Sequence, residues 1–228
     1  MFIRVTRLNS NDCAITIRLN KRMNLKIKGI NMNIEPKRKF WGKGSVVMIV
    51  LVIAFITWYY PLSFFSIHQS VTYHPGSNTH NGKTYEEEIG EFKAAYEEEL
   101  KKDLESDNYN PTVNRTQFIL PIFEQEWLIG TDSKTIDKDK LDRMLFDVQQ
   151  ARITLLHLIT EGDYSRKERG YLVDSINNFL HLEEYIRFIR NGRHFSRSDL
   201  QRMLGNLQGY FWASFNNYTT VFYDESHK

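Results

Sequence analysis

The sequence predicts an all-α protein in which a single N-terminal transmembrane helix leads into an extracytoplasmic antiparallel helical bundle. Three observations predict it. Residues Ser45 to Ile67, SVVMIVLVIAFITWYYPLSFFSI, carry no charged side chain and are long enough to cross a hydrocarbon core. The charge of the chain divides around that stretch. Four later segments repeat apolar residues at helical spacing behind N-cap signals.

The charge division sets the expected orientation. The chain holds 30 Lys and Arg against 28 Asp and Glu; 11 of the former and two of the latter lie in residues 1–44, so that arm carries about +9 and the remainder about −7. Lys37, Arg38, Lys39 and Lys43 flank the apolar stretch, and no Lys or Arg follows it before Lys83. The positive-inside rule therefore places the N terminus in the cytoplasm and the C terminus outside the cell membrane, in a single-pass topology. Trp41 falls at the inner edge, and Trp58, Tyr59 and Tyr60 fall at the outer one, where amphipathic rings favour the headgroup zone. Pro61 ends or kinks the helix at that border. A cleaved secretory signal fits poorly, because the apolar run is long and SFFSIHQS offers no small-residue cleavage site.

The expected organisation is a basic cytoplasmic arm (1–44), the transmembrane helix (45–67), a turn-rich linker (68–83) and an extracytoplasmic helical domain (84–228). The arm is too short for a core of its own, with at most a small strand pair among residues 3–18; Met23 and Met32 are alternative starts. Its charge suits lipid contact, and it carries no nucleic-acid motif. Cys13, the single cysteine, lies in this arm, so the domain has no internal disulfide and depends on packing.

The domain reads as four major helices. Thr84 and Glu87 form a capping box before Tyr85, Ile89, Phe92, Tyr96 and Leu100, with Glu86, Glu87, Glu91, Glu97 and Glu98 on the opposite, solvated face. Asp137 caps a second helix whose expected core side is Leu141, Met144, Leu145, Val148, Ile153, Leu155, Leu156 and Ile159, stopped by Gly162. Ser165 and Glu168 open a third, with Leu172, Ile176, Phe179, Leu180, Ile186 and Ile189 inward, ending near Gly192. Ser196 and Asp199 open the fourth, along Leu200, Met203, Leu204, Leu207, Phe211, Phe215 and Tyr218. Short turns between the last three favour antiparallel neighbours.

The segment from Leu104 to Ile136 is a long crossover too apolar to stay solvated. It is expected to pack across the bundle end or to form a partner groove. Phe118, Ile122, Phe123 and Trp127 from this crossover, with Trp212 and Tyr223 from the aromatic-rich C-terminal helix, are the candidate partner contacts.

Motifs for chemistry are missing. His157, His181 and His194 lack His-Glu-x-x-His spacing, so one histidine is expected against the bundle and two near its surface; His181 and Glu184 supply only two ligands at helical reach. Gly42-Lys43-Gly44-Ser45 lacks phosphate-loop spacing, and no Gly-x-Ser-x-Gly elbow occurs. Neither cofactor nor metal is expected, and no enzymatic activity. The expected function is a membrane-tethered interaction or scaffold module regulating or assembling an envelope protein complex. Its partners would be the lipid bilayer, a membrane or envelope protein and a second copy of the chain, not nucleic acid. A small-molecule-sensing helical domain is the alternative, and a cell-envelope hydrolase the third reading.

Overall fold

The computed structural model describes residues 38–76, 79–80, 82–105 and 109–227. The basic arm up to Lys37, with its expected strand pair, lies outside the described residues, as do the side chains of Arg38, Lys39, Trp41 and Lys43.

Helix α1 runs from Arg38 to Tyr59. It stops well before Ile67, a correction to the expected span. Pro61 has no N–H to continue the ladder, and the chain turns instead through Ser63 N–H to Tyr60 O (3.0 Å) and Ser66 N–H to Ser63 O (3.2 Å). Leu62, Ser63 and Ser66 are buried, so this turn belongs to the domain. No helix among the described residues is long and apolar enough to cross a membrane.

The stretch expected to be linker contains strands. β1 (Ser70–Tyr73) pairs antiparallel with β4 (Lys134–Asp137), Val71 opposite Ile136. Val71, Tyr73 and Ile136 are buried, the alternation of a half-covered ribbon. β2 (Thr79–His80) and β3 (Lys83–Thr84) form a second small pair, with Gly82 at φ 80 in the turn. The domain is thus mostly helical, with two short ribbons added.

α2 (Tyr85–Glu105) starts on the Thr84–Glu87 box, whose Glu87 carboxylate accepts from Thr84 N–H at 2.7 Å. The crossover resolves into α3 (Pro111–Ile119), a 3₁₀ turn (Leu120–Ile122) and the one-turn α4 (Glu126–Ile129). Asn110 caps α3 by accepting from Thr112 and Val113 N–H, and Pro111 at the first turn loses no hydrogen bond there.

α5 (Lys138–Glu161), α6 (Arg166–Asn191) and α7 (Arg197–Asn216) form the antiparallel centre, each opened by its expected cap: Asp137, Ser165 with Glu168, and Ser196 with Asp199. On α5 the buried residues are Leu141, Met144, Val148, Ala151, Leu155 and Leu158; on α6 they include Leu172, Ser175, Phe179, Leu182, Ile186 and Ile189. Both sets alternate steps of three and four, the spacing of a coiled-coil seam. Ile153, Leu156 and Leu180, expected inward, fall off that seam and are 39% exposed. Ionic groups brace the same contact. Buried Glu183 is held by Arg152 of α5 and by Arg187 one turn on (3.0 Å), while Arg190 pairs with Asp142.

α7 continues as a π-helix, Asn217–Tyr223. Thr219 and Thr220 donate their hydroxyls back to the carbonyls of Phe215 (2.9 Å) and Asn216 (2.6 Å), the kind of side-chain bonding that disturbs the α-helical ladder. The widened turn puts Tyr218, Phe222 and Tyr223 into the core against α2, α3 and α6, and Tyr218 shares a 2.6 Å hydrogen bond with Thr116 of α3.

Candidate interaction surface

The crossover residues expected to meet a partner are mostly core residues. Phe123 is fully buried and meets Phe179, Phe211 and Phe215, with ring centroids 5.3–6.5 Å apart. Trp127 is equally buried, edge-on to Tyr73 and Phe211, and donates its indole N–H to Gln125 at 2.7 Å. Ile122 is buried beside them. Trp212 packs on Tyr85 and donates to Glu88; Tyr223 packs on Phe92 and donates to Glu99. Of the six, only Phe118 is exposed, at 56%. The physical reason is that the three central helices leave one side of the core uncovered, and the crossover runs along it, from Thr112 beside Tyr164 to Phe123 beside Phe179 and Leu128 beside Gln208.

The outer aromatic collar is more exposed. Trp58 and Tyr59 face outward and Tyr60 is half-buried, with Tyr59 stacked on Phe55 and edge-on to Tyr60. The end of α1 touches the domain through Arg197, which donates to the Trp58 carbonyl at 3.2 Å. A cleft of about 970 Å³ opens at this junction, lined by Trp58, Tyr59, Tyr73, His74, Arg197 and Gln201 among others.

A second aromatic group lies on the outer face of α6 and α7, away from the seam. Tyr185 is edge-on to Tyr210 at 5.0 Å and tilted against Phe188 at 6.2 Å, and Phe188 meets Phe195 at 5.1 Å. Phe188 and Tyr210 are about half exposed. With His181 and Glu184 they bound a hollow of about 320 Å³. Its rim is polar, since His181 and Glu184 sit 3.9 Å apart and Asn206 donates to the Tyr185 hydroxyl at 3.4 Å. An aromatic floor with a polar rim is the composition of a protein-contact patch. Its signal in the sequence is the aromatic character of Tyr185, Phe188 and Tyr210 at positions off the buried stripes of their helices.

His157, His181 and His194 are all exposed, so the expected histidine against the bundle is not there. No group of His, Cys, Asp and Glu among the described residues could hold a metal ion. The shifted carboxyls are mainly structural: Glu161 is lowered by the hydrogen bond from Arg115, and Glu87 by those from Thr84. The buried tyrosines are raised by desolvation, Tyr96 to about 12. No protein-family model matches the chain, nor does any curated protein or solved structure.

Proposed function

We infer that this protein is a membrane-tethered, non-enzymatic interaction module whose working face is the outer aromatic surface of α6 and α7. The observation that carries the reading is the contrast in what its apolar residues do. Those of α1 from Val46 to Val52 are at least half exposed on every side, whereas the domain buries most of its own and leaves single side chains such as Phe118 and Phe146 outside, with Phe188 and Tyr210 grouped around half-buried Tyr185. A helix apolar on all sides needs a surrounding apolar medium. The uncharged run within α1, residues 44–59, spans about 24 Å against a core of about 30 Å. Crossing therefore relies on local thinning of the bilayer around this short run, with the C-terminal domain extracytoplasmic. Tethering raises the effective concentration of a partner in the same membrane, so a modest aromatic patch suffices for regulation or scaffolding of an envelope complex.

Photo-crosslinkers at Phe188 and Tyr210 of the full chain in its native membrane test this reading, with Asp163 as control. It expects a shared adduct at the first two positions and none at the third. Correctly inserted, folded protein giving no adduct at either aromatic position would overturn it.

A small-molecule-sensing reading rests on a separate observation, the cleft between the end of α1, β1 and α7, where a ligand would bridge anchor and domain. It expects a ligand-dependent rise in melting temperature that Gln201→Trp abolishes.

A further inference from the structure

The end of the domain that receives α1 has an organisation of its own. After Tyr59 the chain makes a tight turn in which Leu62, Ser63 and Ser66 are buried while Phe64, Phe65 and Ile67 are about 70% exposed. The buried residues and the turn's backbone hydrogen bonds fix the loop, so the three apolar side chains are held outward. They continue the aromatic collar of Trp58 and Tyr59. The guanidinium of Arg193, on the turn between α6 and α7, lies over the Phe64 ring at 5.4 Å.

The charge around this loop runs against that of the rest of the domain. Residues 45–228 carry a net charge near −7, yet Lys138, Arg190, Arg193, Arg197 and Arg202 gather where α5 begins, α6 ends and α7 begins. Burial, with Arg193 and Arg190 nearby, pushes the Lys138 ammonium below its usual range. Asp142 and Asp199 pair with Arg190 and Arg202, and Asp137, which caps α5, and Asp139 are the carboxylates that remain around that first turn, so the five cations stay ahead of the four carboxylates by one charge. No ion pair among the described residues engages Lys138, Arg193 or Arg197.

We propose that this end of the domain is a lipid-docking face: Phe64, Phe65 and Ile67 enter the interface of the leaflet from which α1 emerges, and Lys138, Arg193 and Arg197 meet its anionic headgroups. The proposal rests on the tethered reading, because α1 supplies the continuity with the bilayer. Fixed apolar side chains with cations beside them, as Arg193 lies beside Phe64 and Arg197 beside the end of α1, are what an interfacial surface requires, apolar groups entering the acyl boundary while cations stay among phosphates. An otherwise acidic domain would be repelled by an anionic leaflet; a basic end reverses that at the point of approach and fixes the domain's orientation. The aromatic surface of α6 and α7 then stands at a set height for a partner.

The full chain, with Cys13→Ser and a nitroxide at either His194→Cys or Asp163→Cys, is reconstituted in nanodiscs of phosphatidylcholine alone or with phosphatidylglycerol. Position 194 adjoins the cationic turn, 163 the far end of the bundle. The expected result is a shift of the 194 label toward oxygen accessibility and away from a water-soluble nickel chelate in anionic discs only, with the 163 label in water in both. Phe64→Ser with Phe65→Ser should abolish the shift, and each of Arg193→Glu and Lys138→Glu should lower the docked-to-undocked ratio at least about fivefold. Failure of the chain to incorporate into discs would overturn the tethered reading together with this one. Incorporation with the 194 label as water-exposed as the 163 label would overturn the docking face alone.

Discussion

Helices α1 and α7 have 22 and 20 residues and both are rich in apolar side chains, yet the two dispose of them in opposite ways. α7 confines Leu200, Leu204, Leu207, Phe211 and Phe215 to one stripe and buries all of them, with Arg197, Arg202 and Asn206 outside. α1 has no such stripe: Val46, Val47, Met48, Ile49, Val50 and Leu51 are successive and all exposed. A flat protein surface covers one side of a helix, so only the α7 pattern can be completed by a bundle. Apolar content therefore says little by itself; its angular distribution tells which helix belongs to the core and which needs an environment on every side.

Charges placed in α1 break that comparison most strongly. Val50→Asp with Ile53→Asp should oppose insertion by roughly 5–7 kcal/mol, at about 2.5–3.5 kcal/mol per central charge. Alkaline extraction should then release the full chain from membranes, while denaturant unfolding of the domain keeps its midpoint. Retention unchanged by both charges would mean that α1 is not held by lipid. Two neighbours on α7 sharpen the other half. Phe211→Ala removes a fully buried ring packed on Phe123 and Trp127 and should cost about 3–5 kcal/mol in urea unfolding. Tyr210→Ala, one residue away on the outer face, should cost less than about 1 kcal/mol while diminishing the partner adduct at Phe188.

What could be read from the sequence divides along the same line of local against non-local cause. Thr84 with Glu87, Asp137, Ser165 with Glu168, and Ser196 with Asp199 all cap as their spacing predicts, because a cap is complete within four residues. β1 was invisible because Val71 becomes a strand residue only opposite Ile136, far along the chain. The seam between α5 and α6 was read too broadly: Ile153, Leu156 and Leu180 are apolar but off the heptad positions, whereas Ala151 and Glu183, unpromising by type, are on the buried side. Most of the candidate partner contacts are buried for a related reason. Trp127 and Phe123 lie in a segment of short helical pieces with no single long stripe, and their burial depends on Phe179, Phe211 and Phe215, which are far along the chain. Tyr185 and Phe188 lie in a helix whose apolar stripe is complete without them, so periodicity alone does not single them out.

Glu183 tests how much of the α5–α6 contact depends on charge. Its carboxylate is 1% exposed, while the side chains of Arg152 and Arg187 are 25% and 42% exposed. Glu183→Ala leaves both guanidiniums without their partner, but their exposure lets water replace part of the loss. The expected cost is therefore below the 3–5 kcal/mol typical of a fully buried pair, about 2–3 kcal/mol by urea unfolding. Restoration of wild-type stability by Glu183→Leu would show that shape, not charge, is what the seam requires.

A pH-dependent effect of similar small size concerns the N-terminus of α7, where the domain meets the end of α1. Ser196 Oγ accepts from Asp199 N–H at 3.1 Å, and the Asp199 carboxylate accepts from Ser196 Oγ at 2.7 Å and N–H at 3.2 Å. Ser196→Ala should cost about 1 kcal/mol at neutral pH. The hydrogen bonds from Ser196 hold the Asp199 carboxyl below its ordinary range, so the stabilisation is present above the unfolded-state pKa and is lost as pH falls through the folded one. The penalty of Ser196→Ala should accordingly shrink as the medium is acidified below the ordinary carboxylate range, where protonated Asp199 no longer rewards the pairing. A parallel urea series of wild type and variant at neutral and acid pH reads this directly. A penalty constant with pH would assign the cap to the serine hydroxyl alone and detach the carboxylate from the stability of this junction.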